Sequence, residues 1–171
     1  MLGYCSHLLV DAGAHNIRKK LYREKKFLEC SGYLFAFRNK IKNIPTDVAE
    51  DSYIPYILWK EGYHIAYAEQ AKVYVKYPST IKEFIKQKTR TVKSHIKLKY
   101  YAPDFPSVKS FWNEVYFGVR WAVQYPENPR EILWTLLLFP VRLYIWWRAF
   151  LETTITRKRY ADAWERIEST K

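Results

Sequence analysis

Cysteine is scarce in this sequence: Cys5 and Cys30 are the two among 171 residues, and neither lies in a Cys-x-x-Cys pair. Their scarcity indicates reduced or buried thiols and suits a cytosolic setting. The four histidines show no metal-ligand spacing. The first ten residues lack a basic segment, and Ser6 and His7 interrupt their apolar stretch. No secretory signal is therefore expected.

Positive charge and aromatic side chains are what the chain has in abundance. Its formal net charge is +12, and aromatic residues make up 18% of it, including 7 Trp and 15 Tyr. Such a composition is typical of proteins that bind nucleic acid, an anionic membrane surface or a phosphate-bearing ligand. Its 171 residues are enough for one ordinary domain, and because 49% of them are hydrophobic, a disordered chain is not expected.

Helical and strand-like patterns alternate along the first part of the chain. Apolar positions mixed with basic clusters predict one or two helices within residues 1–26. The aromatic segment 27–38 predicts a strand, with a bulge or close backbone approach at Gly32. Residues 63–67 and 71–75 are expected to form two further short strands, the second of which alternates apolar and polar side chains.

Two helices are expected around these strands. The first is capped by Asp51 or Ser52, runs through Lys60 and ends with Gly62 in a left-handed conformation. The second covers residues 79–99 and carries a strongly basic face. Between positions 72 and 99 there are eight Lys and one Arg against one acidic residue.

A capping box marks the start of the second helix. Ser79 or Thr80 is the expected N-cap, and Glu83 lies at capping-box distance from Thr80. Pro103 and Pro106 close this part of the chain. We therefore expect one unit over residues 1–106 and a different one after it.

Three motifs occur in a fixed order in the first unit. Ser31-Gly32 is followed by an aromatic run that ends at Arg38. Glu50-Asp51 opens a helix that leads into a Gly-Tyr strand at Gly62-Tyr63. A basic helix then carries Gln87-Lys88-Thr89-Arg90. Each motif alone is weak evidence, but their order and spacing together are more specific.

This order resembles the second half of family 2 glycosyltransferases of the processive and polyprenyl-phosphate types, over about residues 27–95. The resemblance implies an α/β fold: the acceptor-side half of a GT-A fold, followed by amphipathic or transmembrane helices. It implies that Asp51 is the catalytic base, with Glu50 as its neighbour. It also implies substrate-binding roles for Gln87, Arg90, Ser31 and Gly32.

The chemistry of inverting sugar transfer suits these residue types. A base must take the proton from an acceptor hydroxyl as this attacks the anomeric carbon, and a carboxylate at a helix N-terminus suits that role. The leaving group is a nucleoside diphosphate, so that a cation such as Arg90 is needed where negative charge develops. Asp51 as a simple N-cap, and Gln87 and Arg90 as a solvated helix face, are the alternatives.

Three departures from the family pattern stand out. Thr91 occupies the position where the family's Gln-x-x-Arg-Trp motif has tryptophan. The chain also contains no Asp-x-Asp motif, the site at which the family holds a divalent metal, Mg or Mn. No strand–helix–strand unit for binding a nucleotide precedes residue 27. We therefore expect a fragment or split subunit that is inactive without a donor-binding half, which an upstream-encoded subunit would supply.

Residues 107–171 are expected to form a membrane-associated helical region. Residues 132–151 match the thickness of a hydrocarbon core when helical, about 30 Å. Arg142 at the centre of this run would cost about 2.5–3.5 kcal/mol in a bilayer. Pro140 and the Trp146-Trp147-Arg148 cluster favour an interfacial or re-entrant position, with a single span and a soluble core helix as alternatives. The basic tail 157–159 is expected on the cytoplasmic side.

The sequence thus predicts an inverting glycosyltransferase fragment that is membrane-associated, with its active site on the cytoplasmic side. Its partners would be a nucleotide-sugar donor, a lipid-linked or polysaccharide acceptor and an anionic membrane surface. Two other functions fit the sequence less well: a nucleic-acid-binding basic module and an inactive membrane-interaction protein. The first gives Glu50-Asp51 and the apolar run no role, and nucleic acid is therefore not an expected partner.

Overall fold

The structure is a computed structural model that describes residues 1–106, 110–156 and 170. The predicted basic tail 157–159 lies outside the described residues. Helices α1 (Leu2–His7) and α2 (Asn16–Arg23) are joined by a π-helical segment, π1 (Leu8–His15), so that the chain is helical from Leu2 to Arg23. This confirms the helical prediction for the N-terminal region.

Helix α3 (Glu50–Lys60) and helix α4 (Ile81–Tyr101) carry the two motif segments. Thr80 caps α4 as predicted, because its hydroxyl accepts a hydrogen bond from the backbone N–H of Glu83 at 3.2 Å. Gly62, with φ +89°, ends α3 in the left-handed region as predicted. The predicted cap of α3 is wrong: the N-cap is Ala49, and Asp51 and Ser52 lie inside the helix.

Two helical runs form the C-terminal part of the described chain. The first comprises α5 (Phe111–Asn113), π2 (Glu114–Gly118) and α6 (Val119–Gln124). The second comprises α7 (Pro129–Phe150) and π3 (Leu151–Ile155). Asn128 caps α7 through the N–H of Glu131, and Pro129 occupies the first turn, where its missing N–H costs nothing.

Helices α4 and α7 pack against each other, and one core contains residues from Cys5 to Ala149. The buried members of this core are Cys5, Leu8, Phe84, Val92, Ala122, Leu138, Ile145 and Ala149. The ammonium group of Lys93 on α4 donates a hydrogen bond to Oε2 of Glu152 at 2.8 Å, and the Lys93 side chain is buried. A second core lies under α3 and the end of α4: Phe27, Val48, Tyr56, Leu98, Ala102 and Phe105. The division of the chain at residue 106 stays a prediction.

The predicted α/β fold is wrong for the part of the chain that the structure describes, which forms helices and irregular segments but no strand or sheet. The segments 27–38, 63–67 and 71–75 have strand-like sequences, and a single isolated bridge joins Ser31 to Leu34. A strand is stable only beside a partner strand. Here the backbone of segment 27–38 is instead bound by a helix and a side chain, as described below.

The prediction of a transmembrane helix is also wrong. Within residues 1–106 and 110–156, none of the helices has both the length and the apolar character needed to cross a bilayer. Helix α7 is the longest at 22 residues, but Arg142 and Arg148 interrupt its apolar sequence.

Candidate functional site

A half-open cavity of about 1440 Å³ lies between the N-terminal helices, the start of α3, the middle of α4 and the C-terminal helices. Ligand pockets in proteins usually enclose about 300–1,000 Å³, so this cavity is large for the chain. The six residues that the sequence singles out all line it: Ser31, Gly32, Glu50, Asp51, Gln87 and Arg90. The structure therefore brings these residues together, and their individual roles stay predictions.

The segment around Cys30 is held by two neighbours. Arg18 of α2 donates to the carbonyl oxygens of Glu29 at 2.8 Å and Cys30 at 3.0 Å. The N–H of Cys30 donates to the carbonyl oxygen of Asp51 at 2.9 Å. These bonds use the backbone groups that a sheet would have paired, and they attach the segment to α2 and to the start of α3.

Gly32 lies against the carboxylate of Asp51. A Cβ atom built on Gly32 would stand 3.4 Å from Oδ2 and 3.6 Å from Cγ of Asp51. These are ordinary van der Waals distances, and the φ of Gly32 does not require glycine. The neighbour of Gly32 is thus the side chain of the predicted base, and the bulge or close backbone approach at Gly32 stays a prediction.

A buried carboxylate connects α3 to α4 beside the cavity. Ser52 donates its hydroxyl to Oε2 of Glu29 at 2.7 Å, and the same oxygen lies 3.7 Å from Nδ1 of His95. Glu29 is 3% exposed and His95 is 5% exposed. Ser52 belongs to α3, which carries Asp51, and His95 belongs to α4, which carries Arg90. The carboxylate of Glu29 therefore lies between the two helices that carry the motifs.

The cavity face of α4 presents Gln87, Arg90 and Thr91. The Thr91 hydroxyl, at the position where the family motif has tryptophan, donates to the backbone carbonyl of Gln87 at 3.2 Å. Tyr33 faces the same region. Tyr33 is 52% exposed, and its partial burial raises the pKa of its hydroxyl, a rise that Arg90 opposes and the charge of Asp51 increases. Tyr33 therefore lies within electrostatic reach of both motif residues.

An ion pair lines the cavity on its C-terminal side. Arg142 of α7 donates from Nε and Nη2 to the two carboxylate oxygens of Glu114, at 2.5 and 2.6 Å. The indole N–H of Trp146 donates to the same carboxylate at 2.8 Å. Burial alone would raise the pKa of Glu114, but Arg142, Trp146 and nearby Lys88 hold it below its ordinary value. Glu114 is therefore ionised at neutral pH.

Sequence reasoning missed four of these residues: Glu29, Tyr33, His95 and Glu114. A single acidic residue within the aromatic segment 27–38 was the available signal for Glu29, because a charge there needs a partner. The charge of Arg142 within the apolar run was the corresponding signal for Glu114. Nothing in the sequence pattern indicated Tyr33 or His95.

No metal centre is evident in the part of the chain that the structure describes, where no three His, Cys, Asp or Glu side chains are grouped to hold an ion. The residues present therefore do not fit the Mg or Mn site that the resemblance implies, and no reaction step is assigned to a metal here.

Comparison with protein-family models identifies a family. The model of the family described as glycosyl transferase family group 2 matches residues 21–156, which include the motif residues and the Glu114–Arg142 pair. Searches of curated proteins and of solved structures find no match.

Proposed function

Since this chain belongs to glycosyl transferase family group 2, we propose that it forms the acceptor side of an inverting glycosyltransferase. The family itself implies a transferase that uses a nucleotide-sugar donor and an acceptor. The observation that supports the finer proposal is the shared cavity. Asp51 of α3 and Arg90 of α4 both line it, although the two helices are far apart in the sequence.

The proposed reaction is a single displacement at the anomeric carbon of the donor sugar. The acceptor hydroxyl oxygen forms the new bond as the bond to the nucleoside diphosphate breaks, which inverts the anomeric centre. The hydroxyl proton passes to the carboxylate of Asp51, and the electron pair leaves with the diphosphate. Asp51 lies in the first turn of α3, at the helix end where acidic side chains are favoured.

Arg90 and Gln87 have complementary roles in this proposal. Arg90 meets the negative charge that develops on the diphosphate or on an acceptor phosphate, and Gln87 supplies a hydrogen bond beside it. Ser31 and Gly32 provide a narrow wall against which the acceptor hydroxyl approaches Asp51.

The chain alone is expected to show neither transfer from a nucleotide sugar nor its hydrolysis, because it carries no Asp-x-Asp motif. The measurement is release of nucleoside diphosphate from a panel of nucleotide sugars, with Mg or Mn present. Transfer by the purified chain alone would contradict this expectation. Activity that returns on adding an upstream-encoded subunit would support a split enzyme.

We further propose that the protein lies on an anionic, cytoplasmic membrane surface through α7. An apolar stripe of this helix is exposed along one face: Ile132, Leu136, Leu143, Trp147 and Phe150, each between 50% and 59% exposed. The spacing of these residues places them on one side of a helix, as in helices that lie in a membrane interface. The net charge of +12 complements anionic lipid headgroups.

The Leu136→Ser, Trp147→Ser double variant is expected to lose most of its binding to vesicles that contain phosphatidylserine. The wild type should cosediment with them and stay bound in about 1 M salt, where charges are screened beyond about 3 Å but apolar burial is not. Tyr100→Ser is the matched control, because Tyr100 is 79% exposed but lies on α4. Equal binding by the double variant and the control would refute the proposed surface.

A further inference from the structure

The first turn of α3, which carries Asp51, has weak support from its own helix. The N-cap is Ala49, and alanine has no side-chain oxygen that could accept hydrogen bonds from the N–H groups of the turn. Pro55 lies one helical turn after Asp51 and lacks the N–H that would donate to the Asp51 carbonyl oxygen in a regular helix. The position of Asp51 therefore depends on contacts with other parts of the chain.

Two neighbouring residues, Glu29 and Cys30, provide these contacts. The N–H of Cys30 donates to the carbonyl oxygen of Asp51 at 2.9 Å, in place of the hydrogen bond that Pro55 cannot make. The carboxylate of Glu29 accepts a hydrogen bond from the Ser52 hydroxyl at 2.7 Å. One segment thus binds two consecutive residues of the turn, the proposed base and the residue after it.

The segment that holds this turn is itself held by two helices. Arg18 of α2 donates to the carbonyl oxygens of both Glu29 and Cys30. On the other side, Oε2 of Glu29 lies 3.7 Å from Nδ1 of His95 on α4, the helix that carries Arg90. The contacts of the segment therefore relate the start of α3 to both α2 and α4.

Packing alone does not account for a carboxylate at position 29. Glu29 is 3% exposed, and a carboxylate is costly to bury. An apolar side chain would fill the same space without that cost. What the carboxylate adds is a directional hydrogen bond to Ser52, which fixes orientation as well as distance.

We propose that Glu29 is a positioning residue for the proposed base: its carboxylate holds Ser52 and thereby keeps Asp51 in place in the cavity that Arg90 also lines. Glu29 acts through Ser52 and needs no contact with either substrate. This inference rests on the proposed function and deepens it, because it names a residue on which the place of the base depends.

The first test measures amide hydrogen exchange in the full chain by NMR. Ser52→Ala is expected to speed exchange at Cys30 at least about tenfold relative to Ile145, because the turn opens locally once its bond to Glu29 is lost. Ile145 is fully buried on α7 and reports global unfolding. Ser6→Ala is the matched control, because Ser6 is also buried, at 1% exposed, but lies on α1 and does not line the cavity.

Glu29→Gln separates the hydrogen bond from the charge. Glutamine keeps an acceptor oxygen for the Ser52 hydroxyl, so exchange at Cys30 should stay within about threefold of the wild type. Exchange in Glu29→Gln as fast as in Ser52→Ala would overturn the inference, because the acceptor oxygen would then not be what holds the turn. An unchanged exchange ratio in Ser52→Ala, or an equal rise in Ser6→Ala, would overturn it as well.

The second test measures transfer in a protein that joins this chain to donor-binding residues. Ser52→Ala should lower kcat about 10–10²-fold with an unchanged KM for the nucleotide sugar, because a displaced base slows the chemistry and not donor binding. Ser6→Ala should leave both unchanged. If Asp51→Asn abolishes transfer but Ser52→Ala keeps the normal kcat, the proposed function stands and this inference falls. Near-normal transfer by Asp51→Asn would instead remove the proposed base, and this inference with it.

Discussion

Asp51→Asn is expected to lower glycosyl transfer about 10²–10⁴-fold in a protein that joins this chain to donor-binding residues, while donor binding is unchanged. Asparagine has nearly the same shape as aspartate but cannot accept the proton of the acceptor hydroxyl. Initial rates of transfer and the equilibrium affinity for the nucleotide sugar would be measured on the same preparation. The expected loss is confined to the rate.

The position of Asp51 separates this expectation from a structural effect. The N-cap of α3 is Ala49, so that Asp51 lies inside the first turn and is not the capping residue. Asp11→Asn is the control, because Asp11 is half-exposed on π1 and does not line the cavity. If the folded Asp51→Asn protein transferred sugar at nearly the rate of the control, Asp51 would have no part in the mechanism.

Local signals predicted the helices well. The Thr80 N-cap and the left-handed Gly62 both occur where the sequence placed them, because each depends on residues near in sequence. The strands were predicted from equally clear local patterns, yet segments 27–38, 63–67 and 71–75 form no strand and no sheet hydrogen-bond pairing. Strand formation depends on a distant partner, which a local pattern cannot supply.

The site was predicted in part for the same reason. Asp51 and Arg90 were found through motif order, and they do line one cavity. Glu29 and His95 gain their significance from a contact between residues 66 positions apart, which no local pattern reveals. Arg142 was expected to cost free energy in a bilayer, but the structure provides Glu114 as its partner. A charged residue in an apolar run can thus have a tertiary partner that the sequence pattern does not reveal.

Arg142→Leu is expected to lower the free energy of unfolding by about 3 kcal/mol. This is the lower end of the range of about 3–5 kcal/mol for removing one partner of a buried ion pair. The side chains of Arg142 and Glu114 are 16% and 29% exposed, so that water screens the pair only in part. The substitution leaves the Glu114 carboxylate with the Trp146 N–H but without its cationic partner. Urea denaturation of the wild type and the variant measures the difference in free energy of unfolding.

The double variant Glu114→Leu, Arg142→Leu provides the control. Removing both charges replaces the ion pair by an apolar contact, so the double variant should be more stable than Arg142→Leu alone. The losses of stability in the two single variants should therefore not add up to the loss in the double variant. Additive losses would show that the pair contributes nothing as a pair.

Acidification offers an independent measurement of the same interaction. The pKa of Glu114 is lowered in the folded protein, so its contribution to stability is present above the ordinary glutamate pKa of about 4.3 and is lost as pH falls through the lower, folded value. In Arg142→Leu, burial is no longer opposed by the guanidinium, and this loss on acidification should disappear or reverse. Parallel pH profiles of unfolding free energy for the wild type and Arg142→Leu would show that Arg142 does not hold the Glu114 carboxylate in its ionised form.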